Sequence, residues 1–544
     1  HNRCILCGRC VRACQGISGA RVLNFNNRGP KNLIGFDLGD KREDSTCYDC
    51  GVCLQVCPTG AIYNRYRTHY AVKGHDKAWD SIESFCPRCG LLCPTISCTH
   101  DNNILKIEGK LTGNSGPGKG QLCYRGRFEV FKTGGQRLLQ PMVRNKEGKW
   151  TEESWENALD LIAQKFRDIN DKHGSGSLFG MASSECSNES LLFFRDLVGK
   201  GPMAGPVDTF DGRHFRNMSG AFKEVGGAFR EAAWNQIQEA DFVLMAGANP
   251  RESQPLIASL LRQAMFEKGT GIAVIGDGNT MSPFTSYPFP VEDKDVPLLI
   301  RALLCEVLAS SKHPGGISSL EKVLQEAKTS NVEEILTRVG LDGDNKIAFH
   351  QMVKAFREAK NPLIIVGGVV TGSADAFGLS DALALASLKG FLPENRLRLI
   401  LLKPQGNSAG AWKLGLASDN DFIGSEKLKG GLLLLGGDDI TDTAILHRLK
   451  GMDFIAAFSP YLHESLSGKA HVLLPIPLWM EESGTYTSLD GCQTAFQKKL
   501  IDGPAGVKNS WEAMCAFAEK IGLKPDFKTW DDLSLMAGKQ IHKV

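Results

Sequence analysis

Cysteine is the residue whose spacing in this chain most directly specifies chemistry. Twelve of its seventeen cysteines fall into three quartets within the first 123 residues. The first quartet is Cys4, Cys7, Cys10 and Cys14 in RCILCGRCVRAC, and the second is Cys47, Cys50, Cys53 and Cys57 in CYDCGVCLQVCP. The third is Cys86, Cys89 and Cys93 in CPRCGLLC, completed by Cys123 in GQLC. Thiols at this density either pair as disulfides or bind metal. Disulfides suit small secreted domains rather than a long chain with clustered C-x2-C runs. Structural zinc joins two C-x2-C units rather than runs of four. The spacing C-x2-C-x2-C-x3-C fits cubane iron–sulfur clusters, with the fourth cysteine of each run ligating the other cluster. Cys4, Cys7, Cys10 and Cys57 are therefore expected to hold one [4Fe-4S] cluster. Cys47, Cys50, Cys53 and Cys14 are expected to hold the second.

The short spacing lets one tight loop bring three thiolates to three corners of a cube. The fourth corner is filled from a helix of the other half, which ties the halves together. Gly8 and Gly51 stand where backbone is expected to approach sulfur closely, and Gly60 closes the turn after the second run. Arg3, Arg9, Arg12 and Arg88 lie near cluster cysteines and are expected to raise potentials by favouring the more negative, reduced state. The third quartet has a different spacing, with twenty-nine residues between Cys93 and Cys123. Between them TISCTHDNNILKIEGK alternates like two strands around a turn at Asp101–Asn103. A small β-domain around one further cluster is expected, with Cys98 as a buried strand cysteine rather than a ligand.

These sites need a scaffold, and the chain is long enough for three or four domains at 544 residues. A net charge of +2 and the absence of a long basic run give no nucleic-acid face. The mean hydropathy is slightly negative and no eighteen-residue apolar run occurs, so no membrane-spanning helix is expected. The insert between the first two quartets, with NNRGPKN, reads as a short hairpin. From about residue 150 helices and strands alternate. TEESWENALDLIAQKFRDINDKHG reads as a helix capped by Thr151. SLFGMAS, ADFVLMAGANP and GIAVIGDGN read as strands with helices between them. Residues 306–360 read as helical and polar. NPLIIVGG, LRLILLKP, GGLLLLGGDD, DFIAAFSP and AHVLLPIP resume the alternation. Glycine-bounded apolar runs such as Gly431–Gly437 are of strand length, as in buried parallel sheets. The expected class is α/β, with a doubly wound sheet whose ligands lie at the carboxyl ends of its strands. The glycines at Gly247–Pro250 and Gly276–Asn279 mark two such ends. The expected division is 1–80 as a two-cluster ferredoxin-like module, 81–140 as a small β-rich cluster domain, 141–360 as a first α/β domain, and 361–544 as a second with a C-terminal tail. The tail is expected to be one helix, SWEAMCAFAEKIG, and an exposed end.

Cys86-x2-Cys89-x3-Cys93…Cys123 followed by Tyr124-Arg125-Gly126-Arg127-Phe128 resembles the molybdopterin oxidoreductases. That family includes formate dehydrogenases and the large iron–sulfur subunit of NADH dehydrogenase complexes. The order of modules matches along essentially the whole chain. NSAGAW at Asn407–Trp412, and ESGTY at Glu482–Tyr486 with Asp490-Gly491, resemble the NADH dehydrogenase branch. In catalytic members a cysteine or selenocysteine ligates molybdenum or tungsten, which two pterin guanine dinucleotides carry. The corresponding stretch here is GPVDTFDGRHFRNM, and no cysteine occurs between Cys186 and Cys305. His214 stands where the ligand would be, and Cys186 where the family has a non-ligand cysteine. Asp208 and Asp211 are expected to cap or shape turns. Arg125 replaces a lysine common in the family, Gly276-Asp277-Gly278-Asn279 replaces D-P-R, and the further C-terminal barrel domain of catalytic members is not expected here.

The resemblance thus implies three [4Fe-4S] clusters passing electrons in a multi-subunit NAD(P)H-linked oxidoreductase, complex I-like, hydrogenase-linked or bifurcating. Flavin- or NAD-binding and iron–sulfur subunits are the implied partners. The molybdopterin-type body is expected to lack its metal, with Arg125, Asp211 and His214 facing the vacated cleft. The alternative is a catalytic Mo/W bis-pterin formate dehydrogenase alpha subunit with an atypical ligand. A chain beginning at His1 is expected to have lost upstream residues. Clusters of this kind point to the cytoplasm, with attachment to the inner membrane only through partner subunits.

Overall fold

The computed structural model describes residues 3–37, 42–64, 79–110, 120–131, 135–201, 204–224, 230–277, 284–309, 320–373, 377–417, 429–436, 443–462, 466 and 468–543. His1, residues 111–119 before Cys123 and the Gly278-Asn279 pair lie outside the described residues.

The first module is two short helices and a hairpin. Helix α1 (Arg9–Gly16) begins at Gly8, whose φ is 69°. The chain then forms the antiparallel hairpin β1 (Leu23–Asn26) and β2 (Leu33–Phe36). Helix α2 (Val52–Val56) begins at Gly51, with φ 71°. Each glycine turns the chain from a cysteine loop into a helix through the left-handed region, where a side chain is disfavoured. Space decides Gly51 as well, because a Cβ there would meet Arg127 Cδ at 2.4 Å. That crowding comes from an arginine rather than from sulfur.

Three antiparallel strands follow: β3 (Asp80–Phe85), β4 (Pro94–His100) and β5 (Asn103–Gly109). Asp101 and Asn102 make the turn between the last two, both at positive φ, which Asp and Asn tolerate. Helix α3 (Tyr124–Phe128) follows Cys123 directly.

The α/β body holds two sheets. One begins with a short hairpin, β6 (Met142–Arg144) and β7 (Trp150–Glu152). Helix α4 (Trp155–His173) is capped by Ser154, whose hydroxyl accepts the Asn157 N–H, so Ser154 rather than Thr151 starts it. Then come β8 (Leu178–Ala182), α5 (Asn188–Gly199), β9 (Val207–Thr209) and α6 (Gly212–Glu224). The chain now leaves that sheet and builds a second one from β10 (Phe242–Ala246), α7 (Pro255–Lys268), β11 (Gly271–Ile275) and β12 (Tyr287–Phe289). A helical stretch spans Val296–Ala309, Glu321–Lys328, Val332–Arg338 and Gly343–Glu358. Strands β13 (Pro362–Val366) and β14 (Leu399–Leu401) complete the second sheet. Its order is β12-β11-β10-β13-β14, all parallel. The chain then returns to the first sheet through β15 (Gly431–Leu435), β16 (Phe454–Ser459) and β17 (Val472–Pro475). That sheet runs β9-β8-β15-β16-β17-β6-β7, with its first five strands parallel and the β6–β7 hairpin antiparallel at one edge.

The second sheet takes its strands from both sides of residues 360/361. Strands β13 and β14 pair with β10, not with β15–β17, so the second sheet is an insertion between two halves of the first. Buried strands such as LLLL and IIV carry no mark of which sheet they join, since both faces of each are covered alike. The tail is corrected. Beyond Ser510–Lys520 a further helix, Trp530–Lys543, buries Leu533, Ala537 and Ile541. The four-residue spacing of these three is the stripe of an amphipathic helix.

Candidate metal centres and the seam behind them

The three quartets occupy three different environments. Around the first, the structure forms a cavity of about 510 Å3 lined by Cys4, Cys7, Cys10 and Cys57, closed by Leu23, Ile34 and Phe36. The fourth cysteine of the second run thus stands with the first three of the first run. Burial raises the Cys10 thiol, and repulsion from Cys57 and Cys4 adds to it. Burial would also raise Cys57, but N–H groups of Ile62 and Thr59 outweigh it and lower that thiol. Donors aimed at a sulfur favour the thiolate that metal requires.

The second set is Cys47, Cys50, Cys53 and Cys14. Burial raises Cys47 to about 11, with Cys50 and Cys14 among the repelling neighbours. Burial also raises Cys14, and Cys50 adds to it. Cys53 is pushed far up by burial and then by Cys50, Cys14 and Cys47. Here too the cysteine that closes one run stands with the other run. This set faces the body. Tyr48, between Cys47 and Cys50, donates to the Ser18 carbonyl at 2.6 Å and accepts from Gln121 at 2.9 Å. Ser259 on α7 donates to Gln121 at 2.9 Å, and Arg262 lies 4.7 Å above the Tyr48 ring.

The third quartet is wholly interior. Cys86, Cys89, Cys93 and Cys123 are all buried, in one apolar cluster with Ile107, Leu122 and residues of β10, β11 and α7. Burial raises all four thiols, Cys89 to about 12, and mutual repulsion adds to Cys86, Cys89 and Cys93. Thiols so placed give up their protons only to a strongly cationic centre. Arg125 faces this set, attracting the thiolates of Cys89 and Cys123. Arg88 is held by two carboxylates, Glu129 at 3.0 Å and Glu185. Among the described residues no three His, Cys, Asp or Glu side chains close around a single ion.

Arg127 binds the second and third sets together. Buried, it donates to the Cys50 carbonyl at 2.9 Å and to Gln55 Oε1 at 2.8 Å, from a helix that begins next to Cys123. The sequence presents Arg125 and Arg127 as two alike arginines in YRGRF. Only the α3 helix, turning them to different sides, separates their roles.

Behind the third quartet the carboxyl ends of the two sheets meet. A cavity of about 100 Å3 lies there, bounded by Ser183, Gly436 and Pro460 just beyond β8, β15 and β16, and by Arg88, Cys186, Glu482 and Tyr486. Burial pushes Glu482 up to about 7 even though Ser510 donates both its N–H and its hydroxyl, at 2.8 and 2.7 Å. Hydrogen bonds cross the seam beside it. Asp211, which accepts from Ser184 of its own sheet at 2.7 Å, also accepts across the seam from Ser408 in the loop after β14. Asn407 donates to the Cys186 carbonyl at 2.9 Å and to Asn188 at 3.0 Å. The ring Nδ1 of His214 pairs with Thr371 Oγ1 at 2.8 Å. Asp208 is an ion-pair partner of Arg216 at 2.7 Å, with its carboxyl raised by burial to about 6, rather than a cap. Arg125, Asp211 and His214 do not line the 100 Å3 cavity. That volume is below the roughly 300–1,000 Å3 of pockets for drug-sized ligands.

Comparison with known proteins agrees with this layout. Residues 137–520 match the family model described as molybdopterin oxidoreductase, and residues 3–61 match a 4Fe-4S dicluster domain, so the chain carries iron–sulfur clusters. The chain is 24% identical to a subunit of the NADH-quinone oxidoreductase of Rhizobium meliloti, over 91% of this chain and 60% of that protein. It is 27% identical to a probable oxidoreductase of Bacillus subtilis, over 50% of this chain and 31% of the relative. A putative formate dehydrogenase of Staphylococcus aureus matches at the same identity and the same shares. The chain thus spans from about a third to three-fifths of these relatives' length. In fold it is similar to acetylene hydratase from Pelobacter acetylenicus, with a TM-score of 0.60 at 13% identity, covering 81% of this chain and 69% of that one.

Proposed function

The chain belongs to the molybdopterin oxidoreductase family, and on that premise we propose that it is an iron–sulfur electron-transfer subunit of a multi-subunit NAD(P)H-linked oxidoreductase. Three [4Fe-4S] clusters are held by Cys4, Cys7, Cys10 and Cys57, by Cys47, Cys50, Cys53 and Cys14, and by Cys86, Cys89, Cys93 and Cys123. The observation that carries this reading is the exchange of fourth cysteines. Cys57 lines the cavity of the first run, and Cys14 stands with the thiols of the second. Each cluster, when bound, supplies a reversible one-electron couple.

The chain's own residues set the order of the sites. The first is at the surface, the second at the joint with the body, and the third inside. Arg127 fixes the second and third relative to one another through the Cys50 carbonyl, which limits how far their separation can fluctuate. Flavin- or NAD-binding and iron–sulfur subunits are the proposed partners, which the similarity to a component of a quinone oxidoreductase supports. Among the described residues no helix is long and apolar enough to cross a membrane. A reducing compartment, the cytoplasm, is proposed from the cluster chemistry.

The body is proposed to hold no Mo/W pterin. This reading is supported by the seam, where Asp211, Asn407 and His214 each make a hydrogen bond between segments of the two sheets. Metal analysis of protein purified without oxygen tests both halves. About twelve irons per chain, from three four-iron clusters, with neither molybdenum nor tungsten, is the expected result. Either heavy metal near one per chain, with extractable pterin, would overturn the metal-free body and favour the formate dehydrogenase reading. About eight irons would reduce the number of clusters to two.

A further inference from the structure

The surface around the first quartet differs from the rest of the molecule in charge and in apolar exposure. Across residues 3–36 the sequence has Arg3, Arg9, Arg12, Arg21, Arg28 and Lys31 and no Asp or Glu, whereas the whole chain is nearly balanced at 63 basic to 61 acidic residues. All six are exposed. Arg21 leans onto Phe266 of the body at 4.1 Å, which leaves five basic residues away from that contact. Arg12 donates to the Cys7 carbonyl at 3.2 Å, and Lys31 adjoins Asn32 and Leu33, which line the cavity. Interleaved in sequence with these basic residues, apolar side chains are exposed. Ile5 is 65% exposed, Phe25 46%, Leu6 40% and Leu33 36%. Cys7 is exposed as well, unlike any cysteine of the third quartet.

An apolar centre with a rim of one charge sign is the form of a docking site. The centre excludes water, and the rim steers a partner of opposite charge. We propose that the face formed by Ile5, Leu6, Phe25 and Leu33, ringed by Arg3, Arg9, Arg12, Arg28 and Lys31, docks a small acidic one-electron carrier protein. This rests on the electron-transfer reading above and names the kind of partner that reaches its outermost centre. The occupant is argued from charge complementarity. Thirty-four residues without one acidic side chain repel a basic carrier and attract an acidic one.

The test is binding of the iron-loaded full chain to an acidic plant-type ferredoxin, measured by calorimetry, with a basic c-type cytochrome as the opposite probe. The ferredoxin is expected to bind, and its dissociation constant to rise at least about tenfold from low salt to 0.5 M salt. Arg28→Glu with Lys31→Glu, on the hairpin tip away from the thiols, is expected to weaken it about tenfold at low salt and to let the cytochrome bind. Lys328→Glu with Lys354→Glu, on distant exposed helices, makes the same change in net charge and is expected to leave binding unaltered. The proposal is overturned if the cytochrome binds the wild type as well as the ferredoxin does, if the hairpin variant binds normally, or if the distant variant weakens binding equally. Iron is counted in the same samples. Absent binding at about twelve irons per chain sinks the docking face alone, whereas iron far below that sinks the electron-transfer reading itself.

Discussion

The first and third cysteine quartets carry the same four thiols in opposite surroundings. The first opens to solvent through a basic, apolar mouth, and its cavity is closed by one hairpin. The third lies in the apolar core it shares with the second sheet, and its nearby cation Arg88 is matched by Glu129 and Glu185. A site that exchanges electrons with a diffusing partner needs an accessible edge. A site that relays them inside the molecule needs a fixed, dry setting. On this contrast the first quartet is a port and the third a junction. The strongest way to break it is to remove one ligand from each. Cys89→Ala is expected to lose about four irons and to destabilise the fold by at least roughly 4 kcal/mol, through the core defect and the lost metal together. At about 2–4 °C per kcal/mol that is a fall in melting temperature of roughly 10 °C. Cys7→Ala is expected to lose the same iron with a shift of only a few degrees. Equal thermal shifts in the two variants would erase the distinction.

Next in size is the joint. Arg127→Met keeps most of the buried volume but leaves the Cys50 carbonyl and Gln55 without their donor. A loss of about 3 kcal/mol is expected, because unsatisfied buried groups cost roughly 1–3 kcal/mol each. Paramagnetic resonance of the reduced protein should also show weaker magnetic interaction between the second and third clusters. Unchanged stability would mean that the port module is tethered elsewhere, as through the Tyr48, Gln121 and Ser259 hydrogen bonds.

The grouping of the thiols of the first two quartets was readable from the cysteine spacing, because a cubane demands fixed loop lengths. The α/β class was readable because glycine-bounded apolar runs have few other uses. The interleaving of the two sheets was not, since β13 and β15 are equally apolar and nothing local selects a neighbour. The seam was hidden for a related reason. Asp211 and Ser408, like His214 and Thr371, lie far apart in sequence, and only the meeting of segments from the two sheets makes each pair adjacent. Arg127 was in view but not separable from Arg125 until the helix turned them apart.

Desolvation should also separate junction from port in their response to pH. Glu482, behind the third quartet, is raised by burial to about 7, above the roughly 4.3 of an unfolded glutamate. The folded state therefore keeps a proton that the unfolded chain has released. The stability tied to this group is complete below about pH 4.3 and is lost as pH rises through about 7. Glu482→Gln should remove that loss. The variant is expected to be about 2 kcal/mol more stable than wild type at pH 8 and nearly equal to it at pH 5, read from denaturant curves at both values. Parallel pH profiles would mean that Glu482 is ionised and reached by water, which would make the cavity beside Arg88 wetter than a junction should be.

The smallest effect is the most discriminating, because it removes the same charge from both regions. Arg88→Gln takes a cation from beside Cys86 and leaves Glu129 and Glu185 facing the third site. Arg12→Gln takes one from beside Cys7 at the surface. Losing positive charge disfavours the reduced, more negative state, so both potentials should fall. Arg88 is only partly exposed and lies beside buried thiols, so its field is less screened, and a drop of up to about 60 mV is expected, a factor of ten for a one-electron couple. At the port, water and salt screen the same charge. The Arg12→Gln shift should be several-fold smaller and should shrink further when salt is raised, whereas the Arg88→Gln shift should not respond to salt. Redox titrations of both variants at two ionic strengths measure this directly. A salt-sensitive shift at Arg88 would place the third quartet in contact with solvent and make it a second port.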